Sequence, residues 1–214
     1  MVSLSLQLVG LLLLVFVSSS HQWHLGPCPS KHYVQSFRPY YWEGRWFEYL
    51  RKETPVWESY SKCNVLDFGS NSNNLSMVIP VAKTPVRVPL KVKSISNEER
   101  DAHFNWIFKF PVYTSEKEVY VLATNYYDWA VVWSCQNYYV FNYQSAWILT
   151  REKKPSAQWV YKAIDKALEL ADLNIEEFGT VSHDNCPNMT STDSYEAEEV
   201  GIYYENMLYQ QTLP

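Results

Sequence analysis

Gly44-Arg45-Trp46-Phe47-Glu48-Tyr49-Leu50 is the stretch whose reading decides the fold. Gly44 has no Cβ, so another group can approach its backbone closely. Trp46 buries more apolar surface than any other residue type. The run from Trp46 to Leu50 reads as a strand entered from a loop that contains Pro39. On its own, Gly-x-Trp carries little in a chain with nine tryptophans. Its weight comes from two later places: Thr124-Asn125-Tyr126, between two apolar strands, and Arg151, which closes Trp147-Ile148-Leu149-Thr150-Arg151. Strand alternation puts Glu48 on the same face as Trp46 and Leu50. If that face is interior, Glu48 is a buried acid that needs a partner, and a structural hydrogen bond is expected rather than a ligand contact.

Outward from this stretch, period-two patterns continue. Val86, Val88, Leu90 and Val92 alternate with Arg87, Pro89, Lys91 and Lys93. Phe104, Trp106, Phe108 and Phe110 form a second alternating set, and Leu75, Met77, Ile79 and Val81 a third. Each set falls on one face of a strand. Polar clusters at 69–74, 94–101 and 114–117 separate the runs. Tyr126-Tyr127-Asp128 joins a strand at Val119–Thr124 to one at Trp129–Cys135, and a further strand spans Tyr139–Leu149. The reading is about eight antiparallel strands in a meander, closed into a barrel or folded into a sandwich. Pro80 and Pro89 suit only edges or bulges. The period then changes: Val160, Ala163, Ile164, Ala167, Leu168 and Ala171 follow helical spacing, with Pro155 placed in a first turn. This predicts one amphipathic helix of about four turns laid on the β wall.

The ends of the chain read differently. Residues 1–20 hold no Lys, Arg, Asp or Glu and include an apolar run, Leu8–Val17, before Ser18-Ser19-Ser20. That pattern predicts a secretory signal, too short to span a bilayer. Residues 21–186 form the expected single domain. The four cysteines, Cys28, Cys63, Cys135 and Cys186, then imply two disulfides, and spacing alone leaves all three pairings open. Two sequons, at Asn74 and Asn188, are glycosylation candidates in a secreted chain. The net charge is −5. Residues 187–214 carry five acids and no Lys or Arg, which leaves 21–186 electrically balanced. This segment reads as an acidic, Tyr-containing mobile tail. Without a basic stripe, nucleic acid is not an expected partner.

Motifs for catalysis are missing. The six glycines are too dispersed for a phosphate loop, and neither G-x-S-x-G nor H-E-x-x-H occurs. The five histidines are scattered, and His21 and His24 read as solvated rather than as metal ligands. No cofactor or metal is expected. Seventeen Tyr, nine Trp and nine Phe instead make an aromatic interior, either packed solid or left open for one small guest.

Gly44-Arg45-Trp46, Thr124-Asn125-Tyr126, Arg151 and the single late helix together resemble the lipocalins. The closer likeness is to the group of apolipoprotein D and the insect bilin-binding proteins. It rests on Cys28-Pro29, Gly44-Arg45-Trp46-Phe47-Glu48, Ala123-Thr124-Asn125-Tyr126, Trp133-Ser134-Cys135 and Trp147-Ile148-Leu149-Thr150-Arg151, and it covers about residues 28–186. The tail after Cys186 has no counterpart in that likeness.

The resemblance implies an all-β fold: an eight-stranded antiparallel up-and-down barrel with one helix on its wall. It implies disulfides Cys28–Cys135 and Cys63–Cys186. It also implies structural roles for Gly44, Trp46, Thr124 and Arg151, with Arg151 stacked over Trp46 at the closed end. Strand faces aligned on the family pattern give an expected ligand lining of Met77, Ile79, Val88, Leu90, Trp106, Phe108, Phe110, Val121, Val132, Ser134, Tyr143, Ser145 and Trp147. The expected function is a secreted carrier of a small hydrophobic molecule: a lipid, fatty acid, sterol, retinoid or tetrapyrrole. The competing reading is an extracellular interaction module with a filled barrel, its acidic tail contacting a protein partner. A hydrolase-like activity is the third.

Overall fold

The computed structural model describes residues 23–52, 61–68, 76–81, 84–94, 101–109 and 114–186, with backbone alone at 23, 76–81, 84–89 and 94. The expected signal segment 1–20, the tail 187–214, the sequons at Asn74 and Asn188, and Phe110 lie outside the described residues.

After a short strand, β1 (Trp23–Leu25), and one helical turn, α1 (Pro39–Trp42), come eight longer strands. These are β2 (Gly44–Lys52), β3 (Val65–Phe68), β4 (Ser76–Val81), β5 (Thr84–Ser94), β6 (His103–Lys109), β7 (Thr114–Thr124), β8 (Trp129–Tyr138) and β9 (Phe141–Thr150). Each pairs antiparallel with the next, and β9 pairs back onto β2, so the sheet closes on itself as an up-and-down barrel. β1 extends the edge of β9, and the two-residue β10 (Gly179–Thr180) extends β2. The helix α2 (Gln158–Leu170) and a 3₁₀ turn (Ile175–Glu177) follow the barrel.

Three local readings are corrected. Thr114–Lys117, read as a separator, is the first part of β7, with Lys117 opposite Trp106. Its outward Glu116 and Glu118 are ordinary for a solvated strand face, which hid the strand. Pro155 does not enter α2; it is buried just ahead of it, and its carbonyl accepts the Tyr161 hydroxyl. The Pro39 segment is a helical turn, with proline in the first position, where no backbone N–H is needed.

The odd prolines sit where pairing stops. Among the described residues, β3 pairs β4 at Val65↔Val78 through Asp67↔Ser76, and no pair involves Pro80 on that side. Among the described residues, the pairs of β5 with β6 begin at Leu90↔Phe108, one position past Pro89. A residue without an N–H is tolerated at such local edges.

Two apolar layers result from strand alternation. Inside the barrel, Trp46, Leu66, Phe68, Leu90, Trp106, Phe108, Val119, Val121, Val132, Trp147 and Leu149 form one cluster. Outside, Val131, Trp133, Ala146 and Ile148 meet Val160, Ile164, Ala167 and Leu168 of α2. Each fully buried aliphatic side chain in this second layer contributes about 1.5–3 kcal/mol. Lys31 caps the helix end, donating to the carbonyls of Ala171 and Asp172 at 2.7 and 3.3 Å, where a cation favours the helix dipole.

The disulfides are Cys28–Cys135 and Cys63–Cys186, as the resemblance implied. The first ties the N-terminal segment to β8, and the second ties the segment after β10 to the approach to β3. They close loops with sequence separations of 107 and 123. Loop-closure entropy gives each about 4–5 kcal/mol in the chain-entropy model.

Candidate functional site

The interior of the barrel is built in rungs. Paired residues share a face, so Val121, Val132, Trp147 and Arg51 make one rung across β7, β8, β9 and β2. Val119, Ser134 and Ser145 make the next rung toward the β8–β9 turn, and Gln136 and Tyr143 the one beyond. Across the barrel, Val92 pairs with Trp106 and Leu90 with Phe108; these then pair with Lys117 and Ser115 of β7. Of the expected lining, Leu90, Trp106, Phe108, Val121, Val132 and Trp147 lie in the inner cluster. Ser134 and Ser145 are buried on the same face, and Tyr143 is half-buried. Met77, Ile79 and Val88 occupy strand positions whose side chains lie outside the description. Leu66, Phe68, Val119, Ala130 and Leu149 also face inward and were missed. Leu149, Val119 and Ala130 lie two positions along the strand from Trp147, Val121 and Val132, so alternation alone would have added them.

A bulge in β2 redirects its side chains. Glu48 pairs with Leu149, but Leu50 pairs with Ile148, so one extra residue sits between them. Trp46 and Glu48 therefore face inward, whereas Tyr49 and Leu50 both pack outward beneath α2. This corrects the expectation that Leu50 shares the face of Trp46 and Glu48. It also turns Arg51 inward, opposite Trp147. Glu48 and Arg51 are 2 % and 7 % exposed, with Arg51 Nε 2.7 Å from Glu48 Oε1. Asn64 Nδ2 donates to Glu48 Oε2 at 2.8 Å and to Ser61 Oγ at 2.7 Å, and Arg51 Nη1 donates to the same hydroxyl at 3.0 Å. The expected partner of Glu48 is thus a network, ionic as well as hydrogen-bonded. His183 backs it from outside: Nε2 donates to the Glu48 carbonyl at 2.9 Å, and burial lowers the imidazole pKa.

Lys117 is the other inward charge. Its ammonium lies over the Trp147 ring, 4.9 Å from the centroid, and the side chain is half-buried. Trp147 thus has one cation on its face and another on its neighbouring strand. Alternation with Val119 and Val121 was the available signal for Lys117. None existed for Arg51, because the bulge shifts the phase.

The three stretches singled out in the sequence meet at the far end. Arg151 Cζ lies 3.8 Å from the Trp46 ring centroid. The guanidinium donates to the carbonyls of Arg45, Tyr41, Trp42 and Tyr126 at 3.0–3.3 Å. Burial lowers its pKa to about 10, which leaves it cationic at neutral pH. Gly44 has φ +94°, and a Cβ there would stand 3.2 Å from Arg151 Nη1. The positive φ favours glycine, and a Cβ would also make the Arg151 guanidinium give by a few tenths of an ångström. Thr124 Oγ1 donates to the Trp129 carbonyl and accepts from the Tyr126 amide, each at 2.8 Å, shaping the turn that presents Tyr126 to Arg151. Trp46 itself is 0 % exposed, and its Nε1 donates to the Trp42 carbonyl at 2.8 Å. This end is a plug.

A groove of about 850 Å³ on the outer wall, beside α2 and the 3₁₀ turn, is lined largely by Lys162, Asp165, Lys166, Glu169, Asp172 and Glu177. Leu168, Leu173 and Ile175 also line it, and no aromatic side chain takes part. Among the described residues no three His, Cys, Asp or Glu side chains converge as metal ligands, and no helix is long and apolar enough to cross a membrane.

No family model matches the chain. It is 25% identical over 195 residues to apolipoprotein D of Macaca fascicularis, covering 89% of this chain and 100% of that protein. It is 24% identical over 174 residues to the Lazarillo protein of Schistocerca americana, covering 79% of this chain and 81% of that one. Among solved structures, insecticyanin from the tobacco hornworm Manduca sexta superposes with a TM-score of 0.67 at 18% identity, over 78% of this chain and 92% of that chain. With the plugged barrel, the wall helix and both disulfides in place, these likenesses agree: the chain has the lipocalin fold and is similar in sequence to apolipoprotein D and the Lazarillo protein.

Proposed function

We propose that this chain is a secreted carrier that holds one small hydrophobic molecule inside the barrel. The observation that carries the reading is the gradient along the interior wall. At the plug Trp46 is sealed, whereas Val92, Ser115, Lys117 and Tyr143 farther along the interior face keep contact with solvent. A solidly packed core would not place a lysine on its inner face. Broad aromatic surface from Trp106, Phe108 and Trp147, with a few polar groups such as Ser134, Ser145 and Tyr143, is the composition of a small-molecule site. Two disulfides suit an oxidising, extracellular setting. The role is binding and transport rather than catalysis.

The test is to extract the protein, purified from its native source, with organic solvent and take a mass spectrum. A stoichiometric hydrophobic compound is the expected result; an empty extract from protein that also fails to take up any lipid contradicts the proposal. One observation favours the second reading, an interaction module: the β8–β9 turn exposes Tyr139 at 107 %, Val140 at 63 % and, beside them on β1, Leu25 at 82 %. Under that reading the empty extract is the expected result.

A further inference from the structure

The plugged end of the barrel carries an outer surface that the carrier reading does not use. Tyr40, Tyr41 and Tyr127 are exposed there. They form one cluster: the Tyr41 ring centre lies 5.7 Å from that of Tyr40 and 6.1 Å from that of Tyr127. Arg38 Cζ stands 5.9 Å over the Tyr41 ring. Tyrosine and arginine are the residue types enriched at the centres of protein interfaces.

Two observations say what covers this surface. The first is direction. After β10 the chain runs down the outside of β2 toward the plug. Val181 N donates to the Tyr49 carbonyl, His183 Nε2 donates to the Glu48 carbonyl, and the His183 ring packs edge-on against Phe47. Cys186 is then pinned to Cys63 on the outer wall. From Phe47 to Gly44, just past the tyrosine turn, is about 10 Å at the rise of a strand. A few residues beyond Cys186 span that distance. The second observation is charge. Residues 21–186 are balanced, and 187–214 hold the whole excess: five acids and four tyrosines, with no Lys or Arg. Arg38, Lys153 and Lys154 are exposed and make no ion pair among the described residues. Lys153 and Lys154 follow Arg151, whose Nη2 donates to the Tyr41 carbonyl at 3.0 Å. Of the acids at this end, Asp67 is paired with Arg45, Asp128 accepts from Asn125, and Glu152 accepts from Ser156, which leaves Glu43.

We propose that the segment 187–214 of this chain folds back over the plugged end, its acids on Arg38, Lys153 and Lys154 and its tyrosines on Tyr40, Tyr41 and Tyr127. Single surface ion pairs are weak. The tether offsets this, because it holds the segment at an effective concentration of order millimolar. The contact lies outside the barrel and does not depend on a guest.

The experiment treats the full secreted chain with a water-soluble carbodiimide, which joins a carboxylate to an amine where the two touch. An equal mixture of isotope-labelled and unlabelled chains is used, and linked peptides are mapped by mass spectrometry. In parallel, hydroxyl-radical oxidation of Tyr40 and Tyr127 is timed in the parent and in a full-length variant carrying Asp193→Asn, Glu196→Gln, Glu198→Gln, Glu199→Gln and Glu205→Gln. None of these positions belongs to the barrel, and a parental Tm verifies that the variant is folded. The expected result is links from Lys153 or Lys154 to the tail carboxylates within chains of one isotope. Oxidation is expected to be about threefold or more faster in the variant, as when a cover present most of the time is removed. Links that mix the isotopes assign the cover to a second copy and overturn the inference. So does the absence of links to both lysines, and so do equal oxidation rates in the two proteins.

Discussion

Two of the described tryptophans in this barrel each carry a cation on the ring, and the two contacts differ in how the cation is held. At the plug, Arg151 sits 3.8 Å over Trp46 and is fixed by hydrogen bonds to four backbone carbonyls. Farther along the interior, Lys117 sits 4.9 Å over Trp147 on a flexible stem, half-buried. A planar guanidinium with a rigid fork of donors suits a multiply hydrogen-bonded lock, whereas an ammonium on a four-carbon stem is a compact point charge. A cation on an indole thus closes one end of the barrel, and a second contact of that kind, with lysine in place of arginine, lies farther along the interior.

The harshest way to break this contrast is to remove the plug. Trp46→Ala deletes a fully buried indole and is expected to cost about 3–5 kcal/mol, measured by chemical denaturation. Arg151→Ala comes next, at about 2–3 kcal/mol, since it loses a desolvated cation–π contact and leaves carbonyls without donors. At this chain length that lowers Tm by about 5–10 °C. Ligand affinity measured below the transition is expected to stay at the parental value. Lys117→Met is expected to change stability by less than about 1 kcal/mol, because the contact is partly solvated.

The smallest expected effect lies outside the wall. The folded-state pKa of His183 is depressed by burial, so the folded chain favours the neutral ring. Its contribution is complete above the unfolded value of about 6.5 and is lost as pH falls below it. A Tm series from pH 7.5 to 5 should therefore decline, and His183→Gln should flatten that decline. An equal slope in both proteins would remove His183 from the account.

Much of the plug was legible in the sequence, because its parts are local and chemically unusual: a glycine before a tryptophan, a Thr-Asn turn, an arginine ending an apolar strand. The barrel was legible through alternation, as at Phe104, Trp106 and Phe108. The interior charges were less so. Lys117 was lost because a polar start to β7 looks like a turn when its outward neighbours are glutamates. Arg51 was lost because the extra residue between Glu48 and Leu50 reverses the phase, and nothing in Glu48-Tyr49-Leu50-Arg51 announces a bulge. Glu48 was read as an interior acid, yet its partners, Asn64 and Arg51, are brought to it by strand pairing and by the bulge. The resemblance supplied the disulfide pairing, which spacing left open.

The most direct test sets the two cation sites against each other in a single measurement. Tm is determined side by side for the parent, Arg151→Ala and Lys117→Met. The account predicts that Arg151→Ala melts about 5–10 °C lower and that Lys117→Met melts near the parent. If Arg151→Ala keeps the parental Tm, or Lys117→Met loses as much as Arg151→Ala, the difference between the lock and the point contact is contradicted.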